Sequence, residues 1–353
     1  MARVMNIAVI TAIIIITLIT CDEETAAVWK LELVGQISLK PDRENPNDKL
    51  CAVHVSGQYA YAADVNGGLY VVDISDPQNP RQVGYCDRDR TFLHPHLTSR
   101  SIEERMFARG GVQVKGNYAY MVDDGFGGLR VIDISDPSKP REVGCSERHI
   151  QAREIYVREN YAYVTFNGLR VYDISNPVRP REVGICEIPS WTTGITVKDK
   201  YAYITNGRPE GGLWIIDTSD PKKPRQVGYC HTSGNAYGVD VVDNSAYVIC
   251  TGGLDVIDIS DPNTPHKAGN FPYTMSYARG LFIESNYAYA AYGFGGGGGI
   301  VIIDVSNPIK PKEVGRTNVT GPAQRIYVAG SYAYVVSNVS DLCIIKVKPD
   351  AHD

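Results

Sequence analysis

A recurring tripeptide constrains this chain more than any other feature. Tyr-Ala-Tyr starts at Tyr59, Tyr118, Tyr161, Tyr201, Tyr287 and Tyr332, and Ser245-Ala246-Tyr247 is a degenerate seventh copy. Successive starts lie 40 to 45 residues apart, except for a first interval of 59. A steady period near 42 residues marks copies of one supersecondary unit, none of which can bury its apolar face alone. The length of 353 residues, which on a size argument suggests about two domains, is therefore read as one closed array with an insertion after its first unit.

Each unit keeps one order, plainest in the second. GGVQV (110–114) leads to a turn at Lys115-Gly116-Asn117, then YAYMV (118–122), a glycine loop from Asp123 to Gly128, LRVIDIS (129–135), a DPSKP turn and REVG (141–144). Short alternating or β-branched runs between Gly, Asn, Asp and Pro are strands joined by turns. The 34 Gly, 20 Pro and 23 Tyr, against 7 Phe, favour this over helices. Four antiparallel strands per unit, repeated radially, predict an all-β fold: a seven-bladed β-propeller of four-stranded antiparallel blades. The seventh unit ends at Leu342 to Val347, the counterpart of a third strand, while Trp29 to Gly35 (WKLELVG) looks like the missing REVG strand. The N-terminal strand is thus expected to close the last blade and remove two sheet edges. The propeller is assigned to residues 29–348, with an insertion at about 87–107 and a C-terminal tail at 349–353.

Six stretches carry a family resemblance: Leu69-Tyr70-Val71-Val72-Asp73, Leu129 to Asp133, Leu169 to Asp173, Leu213 to Asp217, Leu254 to Asp258 and Ile300 to Asp304. With the Ile-Ser-Asp-Pro or close variant that follows, they resemble the LVIVD-repeat family, whose consensus reads much like Gly-Leu-x-Val-Ile-Asp-Ile-Ser-Asp-Pro. The resemblance covers nearly the whole chain after its first segment. It implies the propeller fold and a secreted or surface-attached protein, and no particular reaction. The seventh unit departs from it, with Lys346 at the aspartate position and no Asp-Pro turn, as closure by the N-terminal strand requires.

Arg3 followed by the apolar run Ile7 to Ile19 reads as a signal peptide over residues 1–20. The run is too short for a membrane span of about 20 apolar residues. Leu18-Ile19-Thr20-Cys21 resembles a bacterial lipobox, which makes Cys21 a lipidation candidate. Thr20 departs from the small residue usual there, so a plain secretory signal and an uncleaved anchor stay open. Residues 21–28 are a linker. The expectation is export to the cell surface, periplasm or medium, with membrane contact only through this anchor. Seven further cysteines, an odd number without a C-x-x-C, point to mostly buried thiols with room for one or two disulfides and no zinc site. Asn318 and Asn338 head glycosylation sequons. A net charge of -5, with 43% hydrophobic and 21% charged residues, describes a globular chain without the cationic stripe of a nucleic-acid binder.

Chemistry is sought where the repeat breaks. The recurrent Asp73, Asp133, Asp173, Asp217, Asp258 and Asp304 are read as caps of their own turns, and the tyrosines as packing between blades. The non-repeated residues lie just before the inner strands, at the channel mouth: Arg153, Glu154, Tyr237, Arg279, Gln324 and Arg325, with Arg109 and Trp191 just upstream. Converging arginines would draw an anionic ligand; alternatively they form a solvated plug of Arg–Glu pairs. Glu154 is the one acid in these positions and the weak catalytic candidate. In the insertion, His94 and His96 are weak metal candidates, but two histidines do not define a site, so no metal or other cofactor is expected. The glycine run Gly293 to Gly299 is read as a flexible loop, since no Lys-Ser/Thr follows it as in a phosphate loop. No nucleophile elbow or zinc-protease motif is present. The functional expectation is a non-catalytic exported binding or scaffold module, taking a protein or glycan partner at the mouth or rim, with homo-oligomers open. The alternatives are a hydrolase or lyase acting on an anionic substrate at the mouth, and a self-assembling surface or filament protein.

Overall fold

The computed structural model describes residues 29–39, 49–87, 110–123, 128–146, 152–207, 211–273, 278–294, 297–337, 339 and 341–349. Within them the seven units form seven four-stranded antiparallel sheets, each strand paired with the next in sequence. From the inside outward, blade 1 takes Leu50–Ser56, Tyr59–Asp64, Leu69–Asp73 and Arg81–Cys86, and blade 2 Gly110–Lys115, Tyr118–Asp123, Leu129–Asp133 and Arg141–Cys145. Blade 3 follows with Ile155–Arg158, Tyr161–Thr165, Gly168–Asp173 and Arg181–Glu187, and blade 4 with Thr192–Lys198, Tyr201–Asn206, Gly212–Asp217 and Arg225–His231. Blade 5 comprises Ala236–Val242, Ser245–Cys250, Gly253–Asp258 and His266–Pro272, and blade 6 Gly280–Glu284, Tyr287–Phe294, Gly297–Asp304 and Lys312–Thr320. Blade 7 uses Ala323–Ala329, Tyr332–Ser337 and Asp341–Pro349, and its outer strand is the N-terminal Trp29–Ser38. That strand pairs from Trp29 opposite Pro349 to Ser38 opposite Asp341, so the last blade closes as expected. The inner strands touch in succession around the ring, blade 7 against blade 1 included.

The tripeptide encodes the seam between blades. Successive residues of a strand face opposite sides of its sheet. In blade 1, Ala60 therefore packs toward blade 7 and Tyr61 toward blade 2. The same division holds for Ala119 and Tyr120, Ala162 and Tyr163, Ala202 and Tyr203, Ala246 and Tyr247, Ala288 and Tyr289, and Ala333 and Tyr334. Each of the seven apolar clusters thus lies between two neighbouring blades: a bulky ring on one face meets an alanine-bearing face on the next.

A second joint recurs at the rim. Every outer strand carries a β-bulge, for example where Val71 pairs Gly84 and Val72 pairs Gln82, leaving Val83 unpaired and turned into the seam. The glycine after the bulge abuts the Asp/Asn-Pro turn of the following blade. A Cβ on Gly84 would lie 2.1 Å from Pro137 O, on Gly184 2.1 Å from Pro221 O, and on Gly35 2.0 Å from Pro77 O. Blade 7 has no such turn, and Trp29 Cβ takes its place 2.8 Å from where a Cβ on Gly315 would sit. The Trp29 ring then packs edge-on to Tyr287 of blade 6 at 4.7 Å.

The repeated aspartates cap their own turns. Backbone N–H groups of Ser75, Ser135, Ser175, Ser219, Ser260 and Ser306 donate to Asp73, Asp133, Asp173, Asp217, Asp258 and Asp304 at 2.8–3.0 Å. Hydrogen bonds from these serines hold the first five carboxyls below their usual range.

Two expectations need correction. The glycine run is a hairpin rather than a loop: Gly293 pairs Gly298 and Phe294 pairs Gly297. Glycine is required there because the connection to blade 7 presses on it, and a Cβ on Gly293 would lie 2.4 Å from Pro322 Cβ. The room left for one or two disulfides is not used among the described residues. Cys86, Cys186, Cys230, Cys250 and Cys343 are free thiols, and burial pushes each one's pKa up, to about 12 for Cys250 and Cys343. The three at equivalent outer-strand positions sit on separate blades, so the repeat itself keeps them apart.

Because the outer-strand glycine touches backbone rather than a movable side chain, Gly184→Ala is expected to cost about 2 kcal/mol through forced separation of blades 3 and 4. An unchanged thermal midpoint in calorimetry would show that the joint carries no strain.

Candidate functional site

The inner strands begin on the face that carries the connections between blades, termed the upper face below. Strand pairing aligns them without ambiguity, since Ser56, Lys115, Arg158, Lys198, Val242, Glu284 and Ala329 each sit opposite the first residue of the tripeptide. Four residues earlier comes the ring at the mouth: Ala52, Gly111, Glu154, Gly194, Gly238, Gly280 and Arg325. Five of the seven are Ala or Gly because the strands converge there. A Cβ on Gly194 would lie 2.5 Å from Tyr237 O, and one on Gly280 2.8 Å from Arg325 Cα.

The two long residues of this ring close on one another. Arg325 Nη2 donates to Glu154 Oε2, an ion pair between blades 7 and 3 that spans the mouth. Arg325 Nη1 also donates to Arg279 O at 3.2 Å, and Arg279 Nη1 donates to Gln324 Oε1 at 3.0 Å. Four of the sequence candidates are therefore bonded to each other, in the manner of a plug, and Tyr237 lines the cavity beside them. Arg153 and Trp191 form a separate pair on the rim, with the guanidinium 4.8 Å above the indole.

Trp191 is 62% exposed and stands at the end of an open groove of about 930 Å³, between the Phe166–Asn167 turn and the blade 3 to blade 4 connection. Phe166, Ile188 and Pro189 supply its apolar wall, and Arg170 and Glu187 its polar edge. Arg170 is held by Glu182 at 2.9 Å and lies 5.4 Å from the Phe166 ring. Asn318 is exposed on the outer strand of blade 6, where Tyr292 donates its hydroxyl to Asn318 Oδ1 at 3.3 Å. Arg109, His94, His96, Cys21 and Asn338 lie outside the described residues. Among the described residues no three His, Cys, Asp or Glu side chains gather as metal ligands.

At and below the mouth lies a cavity of about 360 Å³, lined by the mouth residues Glu154, Arg279 and Arg325 as well as by residues beneath them. A second ring, two residues further along each inner strand, faces it: His54, Gln113, Tyr156, Thr196, Asp240, Phe282 and Tyr327. These were missed by reading only the residues at the strand starts; strand alternation carries the same face two residues inward. Asp240 accepts the backbone N–H of Val241 and that of Ile283 in blade 6, both at 2.9 Å. The Tyr327 ring lies 4.7 Å from His54 and 4.9 Å from Phe282. Water reaches His54 and Asp240 along the channel, but protein surrounds both and burial disfavours their charged forms. It lowers His54 to about 4 and raises Asp240 to about 6. Burial likewise raises Tyr156 and Tyr327, with the Asp240 charge adding to Tyr156.

Comparison with known proteins agrees with this architecture. Residues 49–88, 109–146, 151–188, 191–232, 233–272, 276–319 and 320–347 match the LVIVD repeat. No curated protein sequence matches the chain. Similar solved structures include the β-propeller domain of Cps50 (Swd1) from Myceliophteria thermophila, with a TM-score of 0.62 at 13% identity over 90% of this chain and 100% of that one. BamB from Moraxella catarrhalis gives 0.55 at 13% identity over 92% and 100%, and the computationally designed Ika8 protein 0.59 at 11% over 90% and 100%. At these identities the likeness is one of fold.

The two channel shifts oppose each other in pH. Asp240 binds its proton more tightly folded than unfolded, so its cost is absent below about pH 4 and complete above about pH 6. His54 binds its proton less tightly folded, so its cost is complete below about pH 4 and gone above about pH 6.5. Between these limits one cost grows as the other shrinks, so their pH dependences nearly cancel, each cost being on the order of 2 kcal/mol after allowance for channel water. Asp240→Asn should expose the histidine term, so that the variant loses about 2 kcal/mol more than the parent between pH 6.5 and pH 4. Parallel stability curves from urea denaturation across that range would contradict this.

Proposed function

Because this chain belongs to the LVIVD-repeat family, we propose that it is an exported, non-catalytic binding propeller that holds a protein or glycan partner on its upper face. The observation that carries this reading is the Trp191 groove. A large exposed indole, stacked on Arg153 and backed by Phe166 and Pro189, is the kind of rigid aromatic anchor that dominates recognition surfaces. The groove lies beside the channel mouth on a fixed scaffold, so little ordering cost accompanies binding. The arginines of the mouth, by contrast, are engaged with Glu154, Gln324 and backbone carbonyls. A hydrolase or lyase working on an anion there would first have to part Glu154 from Arg325. The apolar segment before Cys21 supplies export, and lipidation at Cys21 would tether the propeller to a membrane surface.

Two measurements test the proposal. The mass of the protein recovered from its host should begin at an acylated Cys21; a later start would leave a freely secreted protein, and recovery of the unprocessed chain from the cytosol would remove the export reading. In binding of the purified full chain to its host's envelope fraction, Trp191→Ala should weaken binding about tenfold or more. Its thermal midpoint should hold, because the ring is exposed, and Glu154→Gln should bind like the parent. Binding lost with Glu154→Gln and kept with Trp191→Ala would transfer the function to the mouth.

A further inference from the structure

The channel below the mouth differs chemically from the rim. Of the seven side chains in its ring, one is an acid, three are aromatic, and the rest are His54, Gln113 and Thr196. The acid has no cationic partner among the described residues. Asp240 is bonded only to the N–H groups of Val241 and Ile283, which fix both carboxylate oxygens in place. Lys198, whose positive charge is felt at Asp240, donates its ammonium to Asp243 O at 2.7 Å at the lower end of the channel. Beside the carboxylate stands an aromatic wall: Phe282 on the strand that binds it, Tyr327 packed on Phe282, and Tyr156 close enough for its hydroxyl to feel the Asp240 charge.

From this juxtaposition we propose that the channel cavity binds a small organic cation, an alkylammonium group held by Asp240 against Tyr156, Phe282 and Tyr327. A fixed carboxylate next to ring faces attracts such a cation by charge and by the ring quadrupoles together. Burial keeps His54 neutral at physiological pH, and the two arginines that line the same cavity stay at its mouth, Arg325 paired with Glu154 and Arg279 donating to Gln324 Oε1. An anion would meet Asp240 unshielded. Among the described residues no three His, Cys, Asp or Glu side chains gather there to give a metal ion a coordination shell. The cavity volume of about 360 Å³ falls within the range of small-molecule sites, roughly 300–1,000 Å³. This site is independent of the Trp191 groove and does not rest on it.

The test is calorimetric titration of the full chain at pH 7.5 with choline and with its neutral carbon isostere, in which a tert-butyl group replaces trimethylammonium. Choline should bind saturably with a Kd on the order of 1 mM or tighter, and the isostere about tenfold more weakly or not at all. Asp240→Asn should weaken choline about tenfold or more, Phe282→Leu several-fold, and Trp191→Ala not at all. Should Asp240→Asn fail to fold, the isostere comparison and Phe282→Leu still decide. Equal affinity for the isostere, choline affinity unchanged by Phe282→Leu or Asp240→Asn, or no saturable choline binding to the parent chain would each overturn the proposal.

Discussion

Everything in this molecule depends on the seam between adjacent blades. A single four-stranded sheet of this sequence presents apolar residues of its second strand on both faces, and neither face is covered within the unit. The tyrosine of one blade fills the space that the alanine of the next leaves open, and the outer-strand glycine lets the following Asp/Asn-Pro turn approach to backbone contact. Both contacts have a direction, from each blade to the next. A directional contact repeated at a constant angle either closes into a ring or continues without end. Here the N-terminal strand ends the series by becoming the outer strand of blade 7 and offering Trp29 where no proline turn exists.

Closure dictates the interior. Seven strands meeting at one mouth leave no room for side chains, which is why Gly111, Gly194, Gly238 and Gly280 stand there and why two long residues suffice to bridge it. One step below, the residues change from mostly glycine to a set that includes Tyr156, Phe282 and Tyr327. The chemistry is thus sorted by depth: an ion pair at the mouth, then a ring with its own carboxylate. Desolvation acts on that chamber with opposite sign on its acid and its imidazole, and it favours the neutral form of both.

The periodic and non-periodic residues divide the labour. Six aspartates that look like a ring of carboxylates spend their oxygens on the N–H groups of their own turns, and three of them, Asp73, Asp133 and Asp217, add an ion pair with an outer-strand arginine. These caps set the geometry of the turn that the neighbouring glycine must receive, so they serve the seam. The residues that differ from blade to blade sit on the upper face and in the channel. There the same strand scaffold recurs seven times, and variation in a side chain changes chemistry without changing the fold.

Blade number, strand order, closure by Trp29 to Gly35, the capping role of the aspartates and the packing role of the tyrosines were all legible in the residues. Each is enforced locally: strand alternation, Asx turns and a constant period act over a few residues and need no knowledge of distant contacts. The mouth positions Glu154, Arg279, Gln324 and Arg325 were legible for the same reason, because counting from the tripeptide places them. Three things were not. The pairing of Glu154 with Arg325, 171 positions apart, exists only once the ring is closed. The chamber of Asp240, His54 and Tyr327 draws on blades 5, 1 and 7, so its desolvation is a property of the assembled channel and of no segment. The glycine run reads as a loop until the connection to blade 7 is seen pressing on it. The sequence thus determined the unit and its repetition, since those follow from short-range stereochemistry. The tertiary structure alone decided which charges meet and which groups lose their water, because both depend on distances that the closed ring sets.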